Sequence, residues 1–182
     1  YSMFVFALPG MGKTTLAKPY SEVIDLKLTD NKYDNQSVIN LIKEESKSTK
    51  RPIKDKHYKK NYTDKAFALQ EEGKIVLVAL NFFLRLWLLM LASGRVNFHI
   101  FIPHPSLRKE YRQRYLDRGN NQRFISEVLL IWYPTTILFW LLSKLVPQLI
   151  TVTQVGETLT DHYCPRNVRL PKTLTAKSVP VY

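Results

Sequence analysis

The run Gly10-Met11-Gly12-Lys13-Thr14-Thr15 places two glycines, a lysine and two hydroxyls in consecutive positions, a set suited to holding the phosphates of a purine nucleoside triphosphate. Glycine lets the backbone approach an anion closely. Successive N–H groups in such a loop point inward at phosphate oxygens, and the helix that follows adds the positive end of its dipole. Lys13 would then reach the β- and γ-phosphates, and the Thr14 hydroxyl would help to coordinate Mg²⁺. The full pattern asks for glycine six residues before the lysine; Ala7, with the next smallest side chain, stands there, giving A-x-x-x-x-G-K-T. Pro9, Gly10, Met11, Gly12, Lys13, Thr14 and Thr15 are the expected contacts to ATP.

A loop of this kind works only between a strand and a helix, and its flanks supply both. Met3 to Leu8 is an apolar run with aromatic and β-branched members, the pattern of a strand buried on both faces. The run from Lys13 can start a helix, which Pro19 limits to a turn or two. Val23 to Leu26 reads as a second strand, Tyr62 to Glu72 as a helix stopped by Gly73, and Ile75 to Leu80 as the strongest strand of all. Asn81 to Ser93 suits a helix ending at Gly94, Phe98 to Ile102 a strand closed by Pro103, and Leu107 to Arg118 a charged helix. Arg123 to Leu145 reads as a long helix bent near Pro134, and Leu149 to Val152 as a last strand. Strands alternating with helices predict an α/β fold, a three-layer P-loop NTPase with a parallel sheet flanked by helices.

The chain has 182 residues, enough for one domain with a core. The expected organisation is a kinase core over residues 1–161, with a small helical lid at about 105–122 and an irregular tail at 162–182. The net charge of +12 implies an anionic partner without choosing among nucleotide, nucleic acid and lipid. One cysteine, Cys164, excludes an internal disulfide and a cysteine-held zinc, which points to a reducing, cytoplasmic compartment. No secretory leader is read at the start of the chain. Two apolar stretches compete as membrane spans, but Ile75 to Ala92 contains Asn81 and Arg85, and Val128 to Leu142 contains Pro134. An arginine near the centre of a span costs about 2.5–3.5 kcal/mol, so both are read as core elements and a membrane partner is not expected.

Three segments together carry a family resemblance: F-V-F-A-L-P-G-M-G-K-T-T-L-A-K, then V-I-D-L-x-L-T-D-N-K-Y, then P-S-L-R-K-E-Y-R-Q-R-Y-L-D-R-G-N-N-Q-R-F-I. The chain resembles the small P-loop nucleoside and nucleotide kinases of the adenylate kinase-like group that bacteriophages often encode, which would place it in a host cytoplasm. The resemblance spans most of residues 3 to 161, and only the phosphate loop in it is highly specific. It implies Mg²⁺-dependent transfer of the γ-phosphoryl of ATP to a nucleoside monophosphate or similar acceptor. Such transfer needs two anions aligned and screened by positive charge. In kinases of this type a mobile lid supplies arginines, and the segment with Arg108, Arg112, Arg114, Arg118 and Arg123 resembles that lid. On a straight helix Arg114 and Arg118 share one face, and Arg108 and Arg112 another. Arg114 and Arg118 are the expected transition-state contacts, Arg112 the next phosphate contact, with salt bridges to Glu110 and Asp117 as the alternative role.

Asp25 and Asp30 follow the second strand, where a carboxylate can face Mg²⁺ or an acceptor. Asp25 is the expected metal partner of Thr14, and Asp30 the residue that orients the acceptor or else caps a helix. Ile75 to Leu80 runs into Asn81 with no acid, so the usual second magnesium-holding carboxylate is missing from that place. Tyr62, Trp87, Trp132 and Trp140 are read as core, His99 and His104 as structural. By analogy with related folds, Thr158, Thr160 and Asp161 lie where an adenine would be touched. The rival reading is a polynucleotide-directed P-loop kinase or ATPase that binds nucleic acid through the basic segment 43–60. A steep loss of oligonucleotide affinity with salt separates that reading from the small-acceptor kinase.

Overall fold

A computed structural model describes residues 2–28 and 56–162. Asp30, most of the basic segment 43–60 and the tail 163–182 lie outside the described residues.

Five strands form one parallel sheet: β1 (Met3–Ala7), β2 (Val23–Asp25), β3 (Ile75–Ala79), β4 (Phe98–Pro103) and β5 (Ile150–Thr153). Their order is β2-β3-β1-β4-β5, and every neighbouring pair is parallel. The strand leading into the glycine loop is therefore the middle one, with Phe4 and Phe6 wholly buried. Hydrophobic burial on both faces explains why β1 and β3 read as unbroken apolar runs rather than alternating ones. Ligands of open parallel sheets bind beyond the carboxyl ends of the strands, and the loop leaves β1 at that edge.

The helices among the described residues are α1 (Lys13–Ala17), α2 (Tyr58–Glu71), α3 (Phe83–Ser93), α4 (Arg108–Asp117), α5 (Gln122–Leu130), α6 (Trp132–Leu145) and α7 (Leu159–His162). α2 and α3 cover one face of the sheet: Phe67 packs edge-on to Phe4 at 5.3 Å, and Phe83 to Phe6 at 5.1 Å. α6 joins this layer through Phe139, whose ring lies 5.8 Å from that of Phe83. The other face carries α7, where His162 meets Phe101. The result is consistent with a three-layer α/β fold.

α1 ends at Ala17, two residues before Pro19, as the ring of that proline requires. The long apolar stretch expected as one helix is two, bent by 44°. Pro134 sits in the first turn of α6 and lacks the N–H that a continuous helix would direct at Leu130, so the break falls at Ile131, just before the proline. Among the described residues no single helix is long and apolar enough to cross a membrane.

Tyr62, Trp87, Trp132, His99 and His104 take the structural role expected of them, whereas Trp140, expected in the core, is only half-buried. Tyr62 is buried; its hydroxyl donates to the Leu26 carbonyl at 3.0 Å and accepts from the Ala79 N–H at 3.3 Å, tying the ends of β2 and β3 together. The Trp132 indole donates to the Pro105 carbonyl, Trp87 stacks on Phe83, and Trp140 lies edge-on to His104. His99 pairs with Thr151 across β4 and β5, and His104 with Ser106.

Candidate functional site

Six successive carbonyls of the loop, from Ala7 to Gly12, are held by donors of the protein. The Lys13 ammonium donates to Ala7 at 3.2 Å and Leu8 at 3.1 Å. The Tyr115 hydroxyl donates to Pro9 at 3.0 Å, and the Arg114 guanidinium to Gly10 at 3.2 Å. The Leu159 N–H reaches Met11 at 3.0 Å, and the Leu16 N–H reaches Gly12 at 2.9 Å. While the carbonyls are engaged, the N–H groups of Gly10, Met11, Gly12, Lys13 and Thr14 have no acceptor among the described residues. A row of free amides at the first turn of a helix is an anion-binding nest.

Glycine is required at both glycine positions of the loop. Gly10 and Gly12 have φ of 82° and 86°, and Gly12 is the residue that turns the chain into α1. A methyl group on Gly10 would stand 3.0 Å from the Tyr115 ring, and one on Gly12 3.3 Å from Thr158. Tyr115 is fully buried, so the loop is pressed between α4 and the turn that follows β5.

Lys13 folds its ammonium back onto the Ala7 and Leu8 carbonyls that open this loop. Burial pushes its ammonium down to about 8; Asp25 opposes that shift and the charge of Arg118 adds to it. A triphosphate seated in the loop would restore the proton. The affinity for a triphosphate is therefore expected to be flat below about pH 8 and to fall roughly tenfold per unit above it. Titration with a fluorescent ATP analogue checks this, and a flat profile through about pH 10 would remove the buried ammonium from the binding site.

Thr14 donates its hydroxyl to the Asp25 carboxylate at 2.5 Å. The residue at the start of α1 thereby meets the last residue of β2, joining the two positions expected to hold Mg²⁺. One hydroxyl and one carboxylate are hard oxygen donors of the kind that Mg²⁺ takes alongside phosphate and water. Asn81, past the end of β3, is exposed and carries no acid. Thr15 is exposed on α1.

The arginines separate as the helical spacing of α4 requires. Arg114 and Arg118 face the loop: the first contacts Gly10, and the second is close enough to perturb Lys13. Arg108 instead donates to the Leu129 carbonyl and lies over Tyr133, and Arg112 is exposed, with no contact to the loop among the described residues. Arg114 is also the best-anchored of the four. It pairs with Glu110 at 2.5 Å, donates to the Glu157 carbonyl and covers the Tyr111 ring at 4.6 Å. The ion pair weighed as the alternative is thus formed with Glu110, while Asp117 is taken by Gln113. The segment expected as a lid is, in this arrangement, a helix whose Tyr111 and Tyr115 are fully buried.

Sequence reasoning named Glu110 as an ion-pair partner but missed Tyr115, Glu157 and the Met11–Leu159 link. The missed contacts come from elements distant in sequence. Thr158, expected near a base, stands against Gly12, and its hydroxyl bonds to Thr160 and Asp161. No protein-family model and no curated protein matches this chain.

Proposed function

We propose that this chain is a P-loop nucleotide kinase that transfers the γ-phosphoryl of ATP, with Mg²⁺, to a nucleoside monophosphate or a similar small acceptor. One observation carries the reading: each loop carbonyl from Ala7 to Gly12 is bonded to a donor of the protein, two of them to the Lys13 ammonium, while the amides of residues 10–14 meet no acceptor among the described residues. In this mechanism the amides of residues 10–14 and Lys13 bind the β- and γ-phosphates. Thr14 and Asp25 would hold the metal, which would screen phosphate charge. Arg118 supplies further positive charge at the mouth of the loop. Arg114 holds the loop's shape through Gly10 rather than serving as a free transition-state contact. Asp30, outside the described residues, is the proposed residue for orienting the acceptor.

A coupled ADP-release assay across nucleosides and the common ribo- and deoxynucleoside monophosphates tests the proposal. Mg²⁺-dependent turnover with one acceptor class is the expected result. Asp25→Asn is expected to lower kcat about 10²-fold and to raise the Mg²⁺ concentration required. Turnover with no acceptor at all, or an Asp25→Asn enzyme with an unchanged Mg²⁺ requirement, would refute the assignment.

A further inference from the structure

Large exposed apolar side chains are concentrated on one side of the molecule. Apart from Val96 and Val155, all of those among the described residues lie on α3 or along α5 and α6. α3 turns Leu86 and Met90 to the core and leaves Leu84, Leu88 and Leu91 outward; Leu88 is 53% exposed. α6 buries Trp132, Thr136, Phe139 and Ser143 and leaves Ile137, Leu138 and Leu141 outward, with Leu138 54% exposed. Both helices cover the same face of the sheet and touch through Phe83 and Phe139, so their outward stripes belong to one surface. Soluble monomers seldom leave so much apolar surface uncovered.

The charges on this surface say what covers it. α3 carries Arg85, which also bonds Thr63 of α2, and α6 carries Lys144; neither helix has a single Asp or Glu, and the acid of α5, Glu127, is paired with Arg123. The Lys144 ammonium lies 5.4 Å over the Trp140 ring, an amphipathic aromatic beside a cation. A twofold contact with a second copy would bring these cations together with no acid on either helix to pair with them. Leucine and isoleucine flanked by cations and an indole are instead what an anionic lipid surface accepts, and the chain's +12 charge acts in the same direction.

We propose that the outer surface of α3 and α6 docks on an anionic lipid bilayer, the helices lying in the membrane interface. α5 and α6 together have the length and composition of a bent span, but their inner residues, including Ile125, Leu129 and Phe139, belong to the core. Crossing the bilayer would tear them from the sheet; lying on it does not. This inference is independent of the phosphoryl-transfer reading and survives if that reading fails.

Co-sedimentation of the full chain with vesicles of phosphatidylcholine alone, and of phosphatidylcholine with phosphatidylserine, tests it. Binding to the anionic vesicles is expected, and the L138E/L141E variant should weaken it by about a hundredfold or more. Lys144→Ala should weaken it about fivefold. Unfolding curves establish that the variants fold; if L138E/L141E does not, L84E/L88E takes its place. The proposal is overturned by absence of sedimentation, by equal binding to neutral vesicles, or by undiminished binding of a folded variant. It is equally overturned by a dimer that forms in ultracentrifugation, is broken by L138E/L141E, and binds no vesicles.

Discussion

Lys13→Met is expected to lower kcat/KM for phosphoryl transfer by about 10²–10³-fold, because it removes the loop's own ammonium. A second effect separates this variant from a simple loss of function. The folded protein holds the Lys13 ammonium at about 8, against its ordinary value of 10.5. Below pH 8 both folded and unfolded chains carry the proton, and the burial penalty weighs fully on the folded state. Between 8 and 10.5 the unfolded chain binds more protons than the folded one, so stability rises with pH, by about 3 kcal/mol across the window for this group alone. The methionine variant lacks that rise. Urea titrations of both proteins at about pH 7 and about pH 10 should show wild type gaining on the variant at the higher pH. A stability difference that does not change with pH would mean that the ammonium is not buried.

The second large effect concerns the backbone. Gly10→Ala is expected to destabilise the fold by about 2–4 kcal/mol, combining the cost of a left-handed alanine with displacement of a buried ring. Gly73 is a matched control. Its φ is also 82°, but a methyl group there would meet nothing within 4 Å, so Gly73→Ala should cost only about 1 kcal/mol. The excess at Gly10 measures how firmly Tyr115 presses on the loop. Tyr115 cannot step aside, since its hydroxyl is bonded to Pro9 and its ring packs edge-on against Tyr111 and Phe124. Equal costs at the two glycines, read from urea midpoints, would show that α4 does not clamp the loop.

Arg114 illustrates how a sequence pattern and its structural use diverge. Arginine spacing on a helix shows which side chains share a face, and Arg114 and Arg118 do share the one that meets the loop. What each does there depends on partners elsewhere in the chain. Glu110 and the Glu157 carbonyl fix Arg114 against Gly10, whereas Arg118 is exposed.

The sequence by itself determined the local features, because these depend on neighbours along the chain. Unbroken apolar runs marked β1 and β3, Pro19 ended α1, Pro134 marked the bend between α5 and α6, and glycines at positions 10 and 12 marked the loop. It also contained the Thr14 and Asp25 positions, but not their meeting. Tertiary structure alone decided the strand order that makes β1 central, the 2.5 Å contact between Thr14 and Asp25, and the clamping of the loop by Tyr115, Arg114 and Leu159. It also decided that apolar stretches read as core would leave half their side chains in the open. Whether a leucine on a helix faces a sheet or the solvent depends on which other helices cover that sheet, and no local spacing records this.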